Sequence, residues 1–462
     1  MVTTMTSRLR LAFYGDDFTG STDALESLAC NGVETLLFFE PPTADDAELL
    51  DGLDAVGVAG QSRSMGPAEM DAELAPVFES LVELHPELIH YKVCSTFDSS
   101  PSVGSIGHAI DLGVAATGSP VVPLVVAAPS LAPRGRYVAF GNLFARMDGD
   151  TYRLDRHPTM SRHPVTPMTE ADLRRHLASQ TDRSIGLVDL IDLEAAAHDS
   201  FDRAADDHDI VVFDGITPAH QRTVGEVVWT RAKTVEPPLF SASSSGLGYA
   251  LTAHWSAAGC VNRSGSHPPP ARVDRLLVMS GSAAPETAAQ IDWALEEGYV
   301  GHRLDTAALI DPDEAAAAIA SATTAATAAL GRDQSVVLYT ARGPDDPAIH
   351  ETIDRGEAIG TSASDLRTAL GRAQGTITRR ILETEPLDRI CVAGGDTSGH
   401  VVRALDIRAL SYHAPVAPGS PICVAHGEDA VRSDLQLALK GGQVMSDSPD
   451  PDYFERVRAG GR

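Results

Sequence analysis

The 462-residue sequence has few basic residues: 36 Lys and Arg stand against 64 Asp and Glu, for a formal net charge of −28. A surface this negative repels nucleic acids and anionic membranes, so both are excluded as partners. The 43% hydrophobic and 22% charged content is typical of a globular protein, and the length favours two domains. An anionic small molecule would bind only where the scarce cations are concentrated.

Cysteine is also scarce, with five residues scattered along the chain and no CxxC pair. This pattern excludes a disulfide framework and a zinc site of the usual spacing. Apolar runs fall far short of a membrane span, and the first residues lack the apolar core of a signal peptide. We therefore expect a cytoplasmic protein.

Domain organisation follows from a break around residues 264–271, where Ser and Gly precede three successive prolines. Prolines in series cannot continue a helix or a central strand, so we predict domains over residues 1–263 and 264–462. In both parts, short apolar runs alternate with longer amphipathic segments. This alternation predicts an α/β fold with largely parallel sheets, whose ligands bind at the carboxyl ends of the strands.

The first candidate motif is GDDFTG at Gly15–Gly20, between a predicted strand and a predicted helix. Two adjacent carboxylates at a strand end could provide a general base, a metal ligand or an acceptor for a substrate hydroxyl. Asp16 and Asp17 are therefore the candidate catalytic residues. The alternative is that one of them only caps the helix.

The second motif is AGGDTSG, in which Gly394–Gly399 joins a predicted strand to a predicted helix. Glycines let the backbone approach a ligand closely, and a helix N-terminus offers unpaired N–H groups, which suits a polyphosphate. Thr397 and Ser398 add hydroxyl donors. The motif lacks the Lys of a Walker A loop and the spacing of GxGxxG, and a simple tight turn is the alternative.

Two further segments predict an acid-sugar site. In the first, Lys92 and Asp98 flank a hydroxyl-rich loop that includes Ser95 and Thr96, which a polar surface turn would also explain. In the second, six arginines crowd into about thirty residues, and Arg binds carboxylates bidentately. We expect two or three of them to contact substrate, with these candidates: Arg134, Arg136 and Arg162. The nearby His-Pro pairs do not have metal-ligand spacing.

Three smaller loops are weaker candidates. Ser280–Ser282 follows the first strand of the second domain and could line a nucleotide cleft. Lys440–Gly442 places a cation beside two glycines, although a C-terminal turn is the simpler interpretation. Ser243–Gly248, read SSSGLG, precedes a helix and could equally be packing.

Four motifs in this order resemble the four-carbon acid sugar kinase family, which comprises ATP-dependent enzymes acting on tetronates and 3-oxo-tetronates. The motifs are GDDFTGSTDALESLA, YKVCSTFDSSPSVGSIG, MSRHPVTPMTEADL and AGGDTSGHVVRAL. The resemblance runs from about residue 10 to about residue 445. Ser105 stands where the family has Asn in GNIG, and the usual KxGNFG appears here as Lys440–Met445. The segment Ser130–Met147 resembles a subgroup associated with branched acid sugars such as 3-oxo-isoapionate.

The resemblance implies an N-terminal acid-sugar domain, a C-terminal nucleotide domain and an active site in the cleft between them. It places the acid sugar at Asp16, Asp17, Lys92, the Ser95–Asp98 loop and one or more arginines. It places the nucleotide at three loops with these residues: Ser280, Gly281, Ser282, Gly394, Gly395, Asp396, Thr397, Ser398, Gly399, Gly441 and Gly442.

The mechanism expected from this resemblance is phosphoryl transfer from ATP to a terminal hydroxyl of a small acid sugar. Asp16 or Asp17 would accept the hydroxyl proton, and Mg²⁺ would bridge phosphate oxygens with Asp396 as a candidate ligand. Two other classes stay open on the sequence: a nucleotide-dependent dehydrogenase of sugar acids, and a non-catalytic sugar-acid binding protein. A homodimer is expected.

Overall fold

The computed structural model describes residues 9–131, 135–147, 149–163, 165–236, 238–261, 270–427, 434–442, 444 and 451–461. The chain divides into two compact units, Met1–Ser266 and His267–Arg462. Each unit is built from strands and helices that alternate along the chain. Within the described ranges, no helix combines the length and the hydropathy needed to cross a bilayer.

Unit 1 contains the following strands: β1 Leu11–Gly15, β2 Thr35–Phe38, β3 Ala55–Ala59, β4 Leu88–Lys92, β5 Val122–Leu124, β6 Arg136–Ala139, β7 Asn142–Met147, β8 Asp150–Arg153, β9 Ile185–Val188, β10 Ile210–Phe213 and β11 Leu239–Ser243. Its helices are α1 Phe18–Ala29, α2 Ala47–Leu50, α3 Pro67–Glu83, α4 Ile106–Thr117, α5 Leu173–Leu177, α6 Leu190–Asp207, α7 Pro218–Ala232 and α8 Ser245–Ala257.

The main sheet of unit 1 is parallel, in the order β11-β4-β1-β3-β2. The central strands β1, β3 and β4 are buried along their whole length, as expected for strands covered on both faces. In register, Gly15 pairs with Ala59 and with Lys92, so the segments that follow these three strands emerge at one edge of the sheet. That edge is where parallel α/β sheets bind ligands.

Two smaller sheets complete unit 1. Strands β5, β10 and β9 form a parallel sheet in the order β5-β10-β9. The arginine-rich segment folds as an antiparallel sheet in the order β6-β7-β8. Asp214 joins the two sheets, because its carboxylate accepts hydrogen bonds from the backbone N–H groups of Phe140 and Gly141 in the β6–β7 turn.

Unit 2 contains the following elements: β12 Leu277–Ser280, α9 Pro285–Glu296, β13 Val300–Arg303, α10 Thr306–Ile310, α11 Ala315–Leu330, β14 Val336–Tyr339, α12 Pro347–Ala358, α13 Ala363–Thr384, β15 Arg389–Ala393, α14 Gly395–Ala404, β16 Ala409–Ala417, β17 Ser420–His426, β18 Gln436–Lys440 and α15 Tyr453–Ala459. Strands β18, β15, β12, β14 and β13 are parallel neighbours in that order, and β17 and β16 extend the sheet in antiparallel fashion.

The predicted fold class is confirmed: both units are α/β, and their main sheets are largely parallel. The apolar runs of the sequence predict ten strands, and all ten are present. They are Arg10–Tyr14, Thr35–Phe39, Ala55–Ala59, Leu88–Lys92, Val121–Ala127, Ile185–Asp189, Ile210–Asp214, Leu276–Met279, Ser335–Tyr339 and Arg389–Ala393. Three have the same bounds in the structure: Ala55–Ala59, Leu88–Lys92 and Arg389–Ala393. The antiparallel β6–β8 sheet was not predicted. Its strands are only partly buried and include arginines, so they lack the continuous apolar run that marked the others.

Candidate functional site

The two candidate catalytic carboxylates lie just past β1 and share one arginine. Arg63, in the turn after β3, donates from Nε and Nη2 to the two oxygens of Asp16 at 3.0 and 2.7 Å, and its Nη1 lies 2.5 Å from Asp17 Oδ2. Asp17 also caps α1, because its Oδ1 accepts the N–H of Gly20. Asp16 is 5% exposed, whereas the Asp17 side chain is 31% exposed. A ligand therefore reaches Asp17 more readily.

Lys92 belongs to the same cluster as Asp16, Asp17 and Arg63. It ends β4, which neighbours β1 on the side opposite to β3. It is 3% exposed, and its Nζ lies 3.3 Å from Asp23 of α1. Gly20 sits among these groups: a Cβ added there would lie 2.4 Å from Asp17 Oδ1, 2.7 Å from Lys92 Nζ and 3.5 Å from Asp16 Oδ1. A Cβ at Gly20 would displace the Asp17 carboxylate or the Lys92 ammonium, and the structure thus brings the predicted residues Asp16, Asp17 and Lys92 together.

Burial and charge act in opposite directions on these groups. Burial raises the pKa of the Asp16 carboxyl, an effect that Arg63 opposes and the Asp17 carboxylate reinforces. Burial alone would lower the pKa of Lys92, but the carboxylates of Asp23, Asp16 and Asp17 outweigh it and raise that pKa. Lys92 therefore stays charged at neutral pH, and the cluster holds three carboxylates against two cations.

The Ser95–Asp98 loop is ordered by hydroxyl groups. Asp98 accepts from Thr96 Oγ1 at 2.5 Å and from Thr166 Oγ1 at 3.0 Å, so both of its oxygens are engaged. Thr96 is buried, and Ser95 is partly exposed. Next to them, His176 Nε2 lies 2.9 Å from Ser99 Oγ, and burial lowers the pKa of that imidazole. Hydrogen bonds to Asp98 thus hold this loop in place, and Ser95 stays partly accessible to a ligand.

The three candidate arginines have different placements. Arg134 lies outside the described residues. Arg136 begins β6 and lies close enough to His157 to reinforce the lowering of that imidazole's pKa by burial. Arg162 is exposed, four residues before Thr166, whose hydroxyl bonds Asp98. Among their neighbours, Arg153 is engaged with Asp155 at 2.5 and 2.7 Å. Arg162 thus lies near in sequence to a residue that contacts the Ser95–Asp98 loop, and its own role stays a prediction.

In unit 2, three loops meet at the carboxyl ends of β12, β15 and β18. Gly281 N–H donates to Ala393 O, and Gly394 N–H donates to Lys440 O, both at 2.9 Å. A Cβ at Gly281 would lie 2.0 Å from Thr397 Oγ1, and one at Gly442 would lie 3.0 Å from Ser282 Oγ. The predicted nucleotide residues of these loops are therefore brought together.

The turn at Gly394–Gly399 leads directly into α14. Gly394 has φ +121°, a conformation that favours glycine, and it precedes the first turn of the helix. Thr397 Oγ1 donates to Gln374 Oε1 at 3.2 Å, and Ser398 Oγ donates to Gly394 O at 2.8 Å. The hydroxyl of Ser398 thus closes the turn, and that of Thr397 links it to α13; both were predicted as ligand donors. The backbone N–H groups of the first turn of α14 point to the N-terminal end of that helix. Asp396 is exposed in the first helical turn.

A buried cation underlies the three loops. Lys440 is 1% exposed, and its Nζ donates to Thr287 Oγ1 at 2.8 Å. Thr287 in turn bonds Ser282 Oγ at 3.1 Å and Gly442 O at 3.0 Å. Burial lowers the pKa of Lys440 to about 8. This ammonium thus supports two of the loops through a single hydroxyl.

A cavity of about 330 Å³ opens beside Gly281. Small apolar residues and threonines line it, together with α12 and α13 side chains such as Ile353 and Leu370. Nearby, Ser280 Oγ and Gln374 Nε2 are buried and have no hydrogen-bonding partner in the part of the chain that the structure describes. Unsatisfied buried polar atoms beside a cavity are typical of a ligand site.

The sequence missed Arg63, Thr287, Gln374 and the cavity. Sequence reasoning could have identified Arg63 as a candidate, because the rule that ligands bind after parallel strands applies to β3 as well as to β1. Thr287, Gln374 and the cavity residues of α12 and α13 lie on helices far along the chain. Only the packing of those helices against the strand ends brings them to the loops.

Family comparisons agree with this architecture. Residues 11–251 match a family model described as a sugar-binding N-terminal domain, and residues 277–447 match one described as a nucleotide-binding C-terminal domain. The chain is 46% identical to a 3-oxo-isoapionate kinase of Paraburkholderia graminis, over 98% of this chain and 94% of that protein. It is 31% identical to a 3-oxo-tetronate kinase of Pseudomonas fluorescens, over 97% and 96% of the two chains. The chain belongs to the four-carbon acid sugar kinase family.

Solved structures share the fold. A Salmonella typhimurium LT2 protein, solved under the provisional name of a tRNA synthase, matches with a TM-score of 0.75 and 25% identity, over 97% of this chain and 98% of that one. A Haemophilus influenzae protein matches with a TM-score of 0.70 and 24% identity, over 97% and 99%. The second likeness supports the fold alone.

Proposed function

We propose that this protein is an ATP-dependent kinase that phosphorylates a hydroxyl of a branched 3-oxo acid sugar of the 3-oxo-isoapionate type. The observation that carries the proposal is the 46% identity, over nearly the whole chain, to a kinase named for that substrate, against 31% for a 3-oxo-tetronate kinase. The alternatives of a dehydrogenase and of a non-catalytic binding protein are not supported by the family.

We propose that residues 1–263 bind the acid sugar and residues 264–462 bind the nucleotide. The charges support this division. The strand ends of unit 1 present carboxylates that can accept sugar hydroxyls and cations that can pair with an acid. The strand ends of unit 2 present glycines and the N-terminus of α14, which suit a phosphate chain.

Phosphoryl transfer asks a protein mainly for positioning and charge neutralisation. In this proposal Asp17 accepts the substrate hydroxyl, because it is the more exposed of the two carboxylates. Asp16 orients Arg63 by accepting two hydrogen bonds from it, and Arg63 in turn fixes Asp17 through the ion pair with Oδ2. The hydroxyl proton then passes to the Asp17 carboxylate as the substrate oxygen bonds to the γ-phosphorus of ATP. The bond from that phosphorus to the β–γ bridging oxygen breaks, and ADP leaves.

The nucleotide site is proposed at the three loops and the cavity. Backbone N–H groups at the start of α14 and at Ser282 would hold the phosphates, and the cavity beside Gly281 would hold the base and ribose. Ser280 Oγ and Gln374 Nε2, which lack partners among the described residues, are available to the ligand.

In this proposal, magnesium would bind as the Mg²⁺–ATP complex, held mainly by the phosphates. The described residues contain no cluster of three or more His, Cys, Asp or Glu side chains that could hold an ion by themselves. Asp396 is an exposed single carboxylate on the first turn of α14, and one carboxylate plus phosphates and waters is a usual magnesium environment. When bound, the ion would neutralise phosphate charge.

The test is ADP release, measured by a coupled assay with ATP and two acids, 3-oxo-isoapionate and 3-oxo-tetronate. We expect turnover with both and a higher kcat/KM for the branched acid. Absence of ADP release with every acid, or NAD(P)-dependent oxidation instead, would refute the proposal. The homodimer and the cytoplasmic location stay predictions.

A further inference from the structure

Three serines follow one another at the end of β11, and two of them are fully engaged. Ser243 Oγ accepts the N–H of Val125 at 2.8 Å. Ser244 Oγ donates to Val126 O at 2.9 Å and accepts the N–H of Gly246 at the same distance, which caps α8. These two hydroxyls therefore serve the fold.

Ser245 differs from both of its neighbours. It is the first residue of α8, a helix of 13 residues, and it is 2% exposed. Its hydroxyl and its backbone N–H have no hydrogen-bonding partner in the described part of the chain, whereas the next two N–H groups of the helix bond to Ser244. Helical Cα–Cβ bonds tilt toward the N-terminus, so the free hydroxyl is directed to the positive end of the helix.

This helix end lies beside the cluster around Lys92. Ser243 pairs in register with Lys92, and the N–H of Val93 donates to Ser243 O at 2.8 Å. One turn further along α8, burial and the nearby Asp23 carboxylate raise the pKa of Tyr249. Asp23 is also the ion-pair partner of Lys92. The first turn of α8 and Lys92 thus lie at the same edge of the main sheet of unit 1.

We propose that the N-terminus of α8, through the hydroxyl and N–H of Ser245 together with Lys92, binds the carboxylate of the acid-sugar substrate. A carboxylate has two oxygens, which can accept these N–H and O–H groups while they compensate the ammonium charge and the helix dipole. The inference rests on the proposed function, and it places the substrate acid at α8 rather than at the arginines of β6–β8.

The experiment uses calorimetric binding of two probes to the full chain. One probe is 3-oxo-isoapionate, and the other is its neutral analogue with a hydroxymethyl group in place of the carboxylate. Ser245→Ala should weaken binding of the acid by about tenfold or more, the usual effect of losing a hydrogen bond to a charged group. It should leave binding of the neutral analogue and the KM for ATP within about twofold of the wild type.

Two variants on the same helix are controls. Ser256→Ala, near the far end of α8, should change neither probe's affinity nor Tm. Ser244→Ala should lower Tm, because it removes the helix cap. Equal losses for both probes in Ser245→Ala, or an unchanged affinity for the acid, would overturn the inference. Because binding is measured without turnover, a wild type that binds the acid but releases no ADP would instead contradict the proposed function.

Discussion

Both units place their candidate ligand-binding residues at the carboxyl ends of parallel strands, but the residue types differ. In unit 1, charged side chains dominate, with Asp16, Asp17 and Lys92 held within a few ångströms of Gly20. In unit 2, the loops consist mainly of glycines and largely buried hydroxyl residues, and the cation Lys440 is buried beside them. Under the proposed function, a protein with a net charge of −28 binds anions locally, through backbone N–H groups in unit 2 and a few cationic side chains in unit 1.

The carboxylates give the largest expected effect on the unit 1 side of this comparison. Asp17→Asn should lower kcat by about 1,000-fold, within the range for loss of a general base, with little change in the KM for ATP. Asp16→Asn should lower kcat less and should also lower Tm, because it leaves Arg63 with a weaker buried partner. Steady-state kinetics and thermal unfolding of both variants check this. Near-wild-type turnover in both would contradict the assignment.

The matching change on the unit 2 side is Gly394→Ala. A side chain at φ +121° is strained, and its Cβ would lie 3.2 Å from Thr397 Oγ1 and 3.4 Å from Ser282 N. We expect the KM for ATP to rise by about 100-fold, the scale of a misplaced binding group, while the KM for the acid stays constant. Gly298→Ala is the control, because it also has a positive φ but no atom within 4 Å of its Cβ. A rise in the KM for the acid alone would reverse the proposed division.

Arg63→Lys sharpens the account of the acidic pair. A lysine keeps the charge but cannot donate to Asp16 and Asp17 together as the guanidinium fork does. We expect kcat to fall by about tenfold, because Asp17 loses its fixed orientation. Arg222→Lys, at an exposed position on α7, should be neutral in the same assay. Equal activity of the two variants would show that charge alone is sufficient at position 63.

The smallest effect concerns pH and Lys440. Burial lowers its pKa to about 8, so the ammonium is charged below that pH and becomes neutral as the pH rises through it. We expect kcat/KM for ATP to fall several-fold between pH 7 and pH 9, because the positive support of the phosphate loops is lost. Lys440→Met should have a low kcat/KM that does not change across this range. A pH profile that is the same in both proteins would exclude Lys440 as the origin.

Much of the fold could be predicted from the sequence, and the reasons are physical. Strands buried on both faces, such as Ala55–Ala59, must be apolar throughout, and they were found with their bounds. Strands β6–β8 are only partly buried and carry polar and charged residues, so this segment was interpreted only as a cluster of arginines. The site residues at strand ends were accessible to the same reasoning, since the topology of parallel sheets fixes where those ends meet.

Partners contributed from elsewhere in the chain were not accessible. The strand-end rule could have made Arg63 a candidate, but it does not indicate that one guanidinium holds both carboxylates, because this depends on β3 lying beside β1. The same is true of Thr287, which links Lys440 to Ser282 across more than 150 residues of sequence. Nor does the sequence indicate that Thr397 bonds Gln374 of α13 and that Ser398 bonds Gly394 O; the prediction that both hydroxyls donate to a ligand stays a prediction.

The most direct test of the division between an acid-binding and a nucleotide-binding unit is calorimetric binding of a non-hydrolysable ATP analogue and of 3-oxo-isoapionate to two variants. Gly20→Ala inserts a methyl group among Asp17, Lys92 and Asp16, and Gly281→Ala inserts one against Thr397. We predict that Gly20→Ala loses the acid and keeps the analogue, and that Gly281→Ala does the opposite. Loss of the analogue in Gly20→Ala, with the acid still bound, would contradict the account.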